Sequence, residues 1–486
     1  MSTSTPIQAV LAQPVLLSAE QSLDLSLLHQ LNPERYPFVL ESVAKGGLGQ
    51  YSIVMACPQE TLQLNPQASA EEFVTAAQQA FSHHRAEQKL SIQWSPEFAF
   101  AKEQVEASAQ ALPFKGGWFA YFSYDYAQVV EPVLSLPESQ FPLANLTRTP
   151  AAVIVDHQAN LVWLLLEADF ATDELVAQML DDIESAKISQ PPYQTAATID
   201  IQTQQEEVDD KYLNGVKAIK EYILSGDIFQ VNISRLWRVA LGENEHYLDV
   251  YRALCRQNPA PFAALCCLRD GQNQPWQIIS SSPERLAKYD GAWVDTRPIA
   301  GTRRRSDDEA ADQALMAELI AHPKERAEHI MLIDLERNDL GRICQPGTVE
   351  VNELMVIESY QHVHHIVSNV RGKLREGFSP LDIVHALFPG GTITGCPKVR
   401  CMEIIAELEQ MPREAYTGSL GYINLDGTMD LNILIRTMIA QQTKTGSELQ
   451  FRAGAGIVAD SDPDFELVET RHKARGLLRA LGDTEA

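Results

Sequence analysis

Short apolar runs separated by polar turns dominate the first 185 or so residues. Residues 151–166 hold two such runs on either side of His157-Gln158-Ala159-Asn160, the pattern of a β-hairpin. Phe114-Lys115-Gly116-Gly117-Trp118 opens a further aromatic strand. Residues 169–188 change to the three- and four-residue spacing of a helix. Residues 189–205 are polar and include Pro191-Pro192, which reads as a linker or surface crossover. Strands and helices then alternate to the end of the chain. Tyr212, Val216, Ile219 and Ile223 share one helical face, with Asp210 as a candidate cap and Ser225-Gly226-Asp227 as a stop. Residues 228–237 and 360–370 read as strands, and 462–481 as a closing helix. The division expected is an N-terminal region, 1–188, a linker, 189–207, and a larger region, 208–482, that holds nearly all the recognisable chemistry.

At 486 residues the chain exceeds one ordinary core, so two domains or one large composite domain are expected. Its 39 basic and 65 acidic residues give a net charge of −26, which repels nucleic acid and anionic membrane. An anionic small-molecule substrate therefore needs a cation or fixed donors at its site. Apolar runs such as 161–166 are far too short to cross a bilayer. The first 16 residues show no basic segment ahead of an apolar one. Seven cysteines are scattered without metal-type spacing. A reduced, cytoplasmic protein is expected.

Several constellations carry chemistry. Glu466, Glu469 and Lys473 fall on one helical face, as do Glu325 and Glu328. Read singly, each is a solvated, salt-bridged surface. Read together, two helices offering carboxylates suit magnesium, which takes one or two carboxylates and completes its shell with water and substrate oxygens. Arg452-Ala453-Gly454-Ala455-Gly456-Ile457 ends an apolar strand on two glycines, which lets a ligand approach backbone amides or simply allows a tight turn. His362 and His364 share a strand face opposite His365, as a metal site or as core histidines. The run Phe388-Pro389-Gly390-Gly391-Thr392-Ile393-Thr394-Gly395-Cys396-Pro397-Lys398 opens a helix and suits an anion at its N-terminus, without the spacing of a Walker loop.

In this order, these segments resemble the chorismate-utilising family: anthranilate, aminodeoxychorismate, isochorismate and salicylate synthases. The resemblance also rests on Gly226-Asp227-Ile228-Phe229-Gln230-Val231-Asn232, Ser280-Ser281-Ser282-Pro283-Glu284-Arg285, Arg297-Pro298-Ile299-Ala300-Gly301-Thr302, Asp334-Leu335-Glu336-Arg337-Asn338-Asp339 and Arg436-Thr437. It implies an α/β layered fold of the anthranilate synthase component I type, with two facing antiparallel sheets and outer helices. By family position, Glu328 and Glu469 would hold Mg2+ beside Glu466 and Glu325. Tyr416, Arg436, Lys473 and the amides of Gly454, Ala455 and Gly456 would bind the carboxylates of chorismate, Thr392 would contact the substrate, and Gly301 and Thr302 would line the ring pocket. His365 would stand beside the leaving hydroxyl.

Water-using members carry a lysine base where this chain has Gln230, and an amide cannot deprotonate water. The resemblance thus implies the ammonia-using branch. Gln230-Val231-Asn232 and Asn258-Pro259-Ala260-Pro261-Phe262 look like aminodeoxychorismate synthases, which convert chorismate to 4-amino-4-deoxychorismate for para-aminobenzoate and folate synthesis. Ala300, where many of those enzymes have lysine, follows the anthranilate pattern. Anthranilate synthase component I is therefore the alternative, and a non-catalytic tryptophan-binding regulator is a second. The resemblance further implies a separate glutamine amidotransferase subunit as ammonia source. Leu40-Glu41-Ser42 resembles the segment that binds tryptophan in anthranilate synthases, and reads equally as a buried turn.

Overall fold

The computed structural model describes residues 6–18, 20–44, 49–94, 98, 101–189, 193, 199–360, 363–443 and 446–482, apart from the side chain of Lys324. His362 lies outside these residues.

Many strands are apolar on both faces, so both faces must be covered. Phe38 and Val39 alternate and are both buried, but in different cores. The result is two large sheets. The first runs through Ile201–Glu206, Gln230–Leu241, Gly446–Ile457, Thr437–Thr443, Pro275–Ser282, Phe262–Arg269, Phe38–Glu41, Tyr51–Ala56, Ala151–Asp156, Leu161–Glu167, Ile7–Leu16 and Glu87–Ile92. The second runs through Ile299–Arg304, Val363–Lys373, Trp293–Arg297, Arg285–Tyr289, Met429–Asn432, Ser419–Asn424, Gly117–Phe122, Ala144–Thr149 and Thr61–Leu64. Pairing is antiparallel except between Ile7–Leu16 and Glu87–Ile92. Phe38, Ile53, Trp163, Trp276 and Ile278 of the first sheet meet Phe119, Tyr121 and Leu420 of the second in a shared core. Helices Leu25–Leu31, Asp173–Ser185, Tyr247–Gln257 and Pro463–Ala480 cover the outside of the first sheet. Helices Ala70–His83 and Pro380–Leu387 contribute to the core outside the second, and Lys398–Glu409 packs against Gln230–Leu241 of the first. This is the α/β layered arrangement of facing antiparallel sheets and outer helices that the resemblance implied. No helix among the described residues is long and apolar enough to cross a membrane. All seven cysteines are free thiols.

Boundaries shift for local reasons. The expected strand at 228 begins at Gln230, because Gly226 closes the preceding helix in the left-handed region at φ +84° and the Asp227 amide donates back to the Tyr222 carbonyl. That helix begins at Asp209, so Asp210 lies in its first turn instead of capping it. Within the polar stretch read as a linker, Ile201–Glu206 forms an edge strand against Trp237–Leu241. Its side chains are mostly exposed, so backbone pairing holds it where apolar periodicity gives no signal.

Candidate active site

The strands Gln230–Leu241 and Gly446–Ile457 form one wall, with Asn232 opposite Gly456 and Ser234 opposite Gly454. Side chains two apart on a strand share a face, so Gln230, Asn232, Gly454 and Gly456 lie together. The missing side chains leave space that polar groups occupy. A Cβ at Gly454 would fall 2.9 Å from both Asn232 Oδ1 and the Tyr416 hydroxyl, and one at Gly456 would fall 2.4 Å from Gln230 Nε2. Ala455 points the other way, into the apolar core, so only its backbone faces this wall. Gln230 Oε1 and Asn232 Oδ1 are buried with no hydrogen-bond partner among the described residues. Burial pushes the Tyr416 hydroxyl up to about 12, so it stays protonated.

A second wall comes from the pairing of Ile299–Arg304 with Val363–Lys373, in which Thr302 stands opposite His365. The register slips between Ala300 and Thr302, and Gly301 occupies the irregular position at φ +74°. Such a bulge re-aims the next side chain. The Thr302 hydroxyl consequently lies 2.9 Å from His365 Nδ1. Burial, then the charge of Arg436, lower the imidazole to about 3, so the ring is neutral at physiological pH. Its Nε2 is buried without a partner among the described residues. When Thr302 donates to Nδ1, the ring proton sits on Nε2 and forms a buried donor.

Arg436 adopts φ +52°, an uncommon conformation for a non-glycine residue, between the strands Met429–Asn432 and Thr437–Thr443. Desolvation lowers its pKa, opposed by the charge of Glu284, and its Nη1 donates to Asn258 Oδ1 at 3.3 Å. No salt bridge to Arg436 forms among the described residues. A desolvated cation without an ion pair costs free energy unless an anion joins it. Glu284, a site residue the sequence reading quoted in a motif without a role, accepts from the Thr392 hydroxyl at 2.8 Å, and burial pushes it up to about 7. Thr392 thus donates to Glu284 and retains only acceptor capacity toward a ligand.

The carboxylates come from two helices. On Pro323–Gly341, Glu325 Oε1 accepts from Arg303 at 2.7 Å, while its Oε2 is buried without a partner, 2.1 Å from where a Gly301 Cβ would stand. Glu328 follows one turn on, within this helix. On Pro463–Ala480, Glu466 is buried, and Glu469 lies 3.7 Å from Lys473, whose side chain is about half exposed. Among the described residues no three His, Cys, Asp or Glu side chains gather as a metal cage. A hard cation takes one or two carboxylates and draws its other oxygens from water and substrate, which is the donor chemistry these two helices offer.

Two expectations fall elsewhere. Ser42 lies on a separate cavity of about 510 Å3, lined also by Glu41, Pro261, Phe262, Tyr422 and Asp430, and its hydroxyl donates to the Pro261 carbonyl. His364 faces away from His365 and is held by Asp312 at 2.9 Å and Ser359 at 2.7 Å, a structural pairing.

Residues 50–479 match the family described as chorismate binding enzyme. The chain belongs to that family and is an enzyme acting on chorismate, close to the anthranilate synthases. It is 45% identical over 374 residues to the anthranilate synthase component I-like protein of Synechocystis sp., covering 76% of this chain and 73% of that one. It is 41% identical over 388 residues to aminodeoxychorismate synthase component 1 of Bacillus subtilis, covering 79% and 80%. Among solved structures, anthranilate synthase component I from Streptococcus pneumoniae superposes with a TM-score of 0.71 at 27% identity, over 89% of this chain and 93% of that one.

Proposed function

We propose that this enzyme aminates chorismate with ammonia to give 4-amino-4-deoxychorismate, the precursor of para-aminobenzoate. The observation that carries this reading is the chemistry of the first wall: the side chains over Gly454 and Gly456 are two amides and a protonated phenol. Water attacking the ring needs a base to take its proton, and none of these groups is one at neutral pH. Ammonia is nucleophilic as it stands. The choice of the aminodeoxychorismate product over anthranilate rests on Asn232 and on Asn258-Pro259-Ala260-Pro261-Phe262. Ala300, buried in its strand opposite Ile366, favours anthranilate synthase as the second reading, because no lysine is present there to attack the ring.

Arg436 and the Tyr416 hydroxyl supply charge and a donor for the substrate carboxylates, aided by the backbone amides of residues 454–456 and by Lys473. Mg2+, held by Glu328 and Glu469 with Glu466 nearby, would neutralise the ring carboxylate and polarise the site when bound. The neutral His365 donates from Nε2 to the departing hydroxyl, with Thr302 fixing the tautomer and the Gly301 bulge placing Thr302. A separate glutamine amidotransferase subunit would supply ammonia to this chain. The cavity at Ser42 has the volume to take an amino acid such as tryptophan as an effector, although Asp430 already pairs its Arg285 and the Tyr251 hydroxyl already donates to its Glu41.

Chorismate consumption should require both ammonium and Mg2+, and should fall to background in Glu328→Ala and Glu469→Ala while melting temperature stays near that of the native chain. Full activity in excess chelator, or in either variant, would remove the metal from the reading. Turnover with water as the only nucleophile would remove ammonia.

A further inference from the structure

Ammonia carries three N–H donors and one lone pair. A site that presents it to an electrophilic carbon must accept from the hydrogens and leave the lone pair free, so it consists of acceptors that are not bases. Gln230 Oε1 and Asn232 Oδ1 are two buried acceptors of this kind, both without partners among the described residues. An unmade hydrogen bond at a buried amide is costly, and such groups in a folded protein call for an explanation. The backbone around them is fully committed: the Asn232 amide donates to the Thr394 carbonyl, the Asn232 carbonyl accepts from Arg413 at 2.7 Å, and the Gln230 carbonyl accepts from the Cys401 thiol at 3.1 Å. The strand is fixed from behind, and the two side-chain oxygens are left for a ligand. Cα atoms two apart on a strand are roughly 7 Å apart. One nitrogen making two hydrogen bonds of about 2.9 Å spans roughly 5–6 Å between its acceptors. That spacing is consistent with one ammonia bridging two side chains on the same strand face, and the Tyr416 hydroxyl beside Gly454 is a third polar neighbour.

We propose that Asn232 supplies, beside Gln230, a second acceptor that holds ammonia in this enzyme. Their two amide oxygens accept two N–H bonds and turn the nitrogen lone pair toward the ring. The proposal rests on the amination reading above.

The test separates the two substrates. With chorismate saturating and ammonium chloride varied at a fixed alkaline pH, Asn232→Leu loses one hydrogen bond to ammonia, which should raise the KM for ammonium about tenfold. The KM for chorismate at saturating ammonium should stay within about twofold of native, since Asn232 is assigned no contact with it. Asn232→Asp retains an acceptor oxygen at the same place and should hold the ammonium KM within about threefold of native. If Asn232→Leu proves unfolded by circular dichroism, Asn232→Ser, whose hydroxyl stops short of the ammonia position, should show the same selective rise. An unchanged ammonium KM in the folded variant, or an equal rise in both KM values, overturns the proposal. A native chain that consumes no chorismate with ammonium overturns the amination reading itself, and is told apart by needing no variant.

Discussion

At the scale of single residues, the site depends on backbone positions that only particular side chains tolerate. Gly301 is the clearest. It sits at φ +74°, and a Cβ there would meet Glu325 Oε2 at 2.1 Å. Alanine would carry left-handed strain of about 1–3 kcal/mol and would push the partly buried Glu325 carboxylate off its place beside Arg303. Gly301→Ala should lower kcat/KM for chorismate at least about 100-fold, because it moves both Thr302 and Glu325. Steady-state kinetics check this, and near-native kinetics would show that the bulge does not position the site. The glycine was legible in Arg297-Pro298-Ile299-Ala300-Gly301-Thr302 as part of a motif. Its contact with Glu325 was not, since a carboxylate pair at helical spacing reads equally as a solvated face, and only the tertiary fold brings Arg303 and Gly301 to it. Asn232 and Glu284 were likewise quoted without roles, because the burial of a polar side chain is invisible in sequence.

At the scale of elements, the helix Pro323–Gly341 both offers carboxylates to the site and holds the glycine-rich loop before Lys398. Glu336, near its end, is buried, accepts from Thr296 at 2.8 Å and from the Gly391 amide, and is pushed by burial and by Asp339 up to about 7 from an ordinary 4.5. Between those values the unfolded chain has lost this proton while the folded chain keeps it. Stability therefore falls as pH rises from about 4.5 to about 7, then levels off. That gap corresponds to roughly 3 kcal/mol. Glu336→Gln, which mimics the protonated form, should flatten the decline by up to that amount and stabilise the protein above neutrality. Urea unfolding across this range checks it, and an unchanged slope would show that Glu336 is ionised in the folded state. Long periodic elements were legible: the closing helix is Pro463–Ala480 with Asp462 as its cap, against 462–481 expected. The hairpin turning at 157–160 is present as read. The edge strand Ile201–Glu206 was not legible, because its polar side chains leave hydropathy silent and its existence depends on a partner strand.

At the scale of the molecule, both sheets draw strands from both ends of the chain. Phe262–Arg269 pairs with Phe38–Glu41 in the first sheet, and Ser419–Asn424 with Gly117–Phe122 in the second. Residues 208–482 expressed alone would expose both of these strand edges and the apolar face that Phe119, Tyr121 and Trp163 now cover. Such a fragment should aggregate or unfold without cooperativity in calorimetry, whereas a fragment that melts cooperatively and turns over chorismate would contradict this coupling. The layered fold was legible only through resemblance, since alternation gives strands but not their order across two sheets. The charge of −26 was legible as a demand for local positive groups, and Arg436 meets it with a guanidinium that no described carboxylate pairs. The central claim concerns what that site makes. Incubate the purified chain with chorismate, Mg2+ and ammonium, divide the reaction, and treat one half with aminodeoxychorismate lyase. Para-aminobenzoate in the treated half alone is the expected result, and fluorescent anthranilate with pyruvate in the untreated half would contradict it.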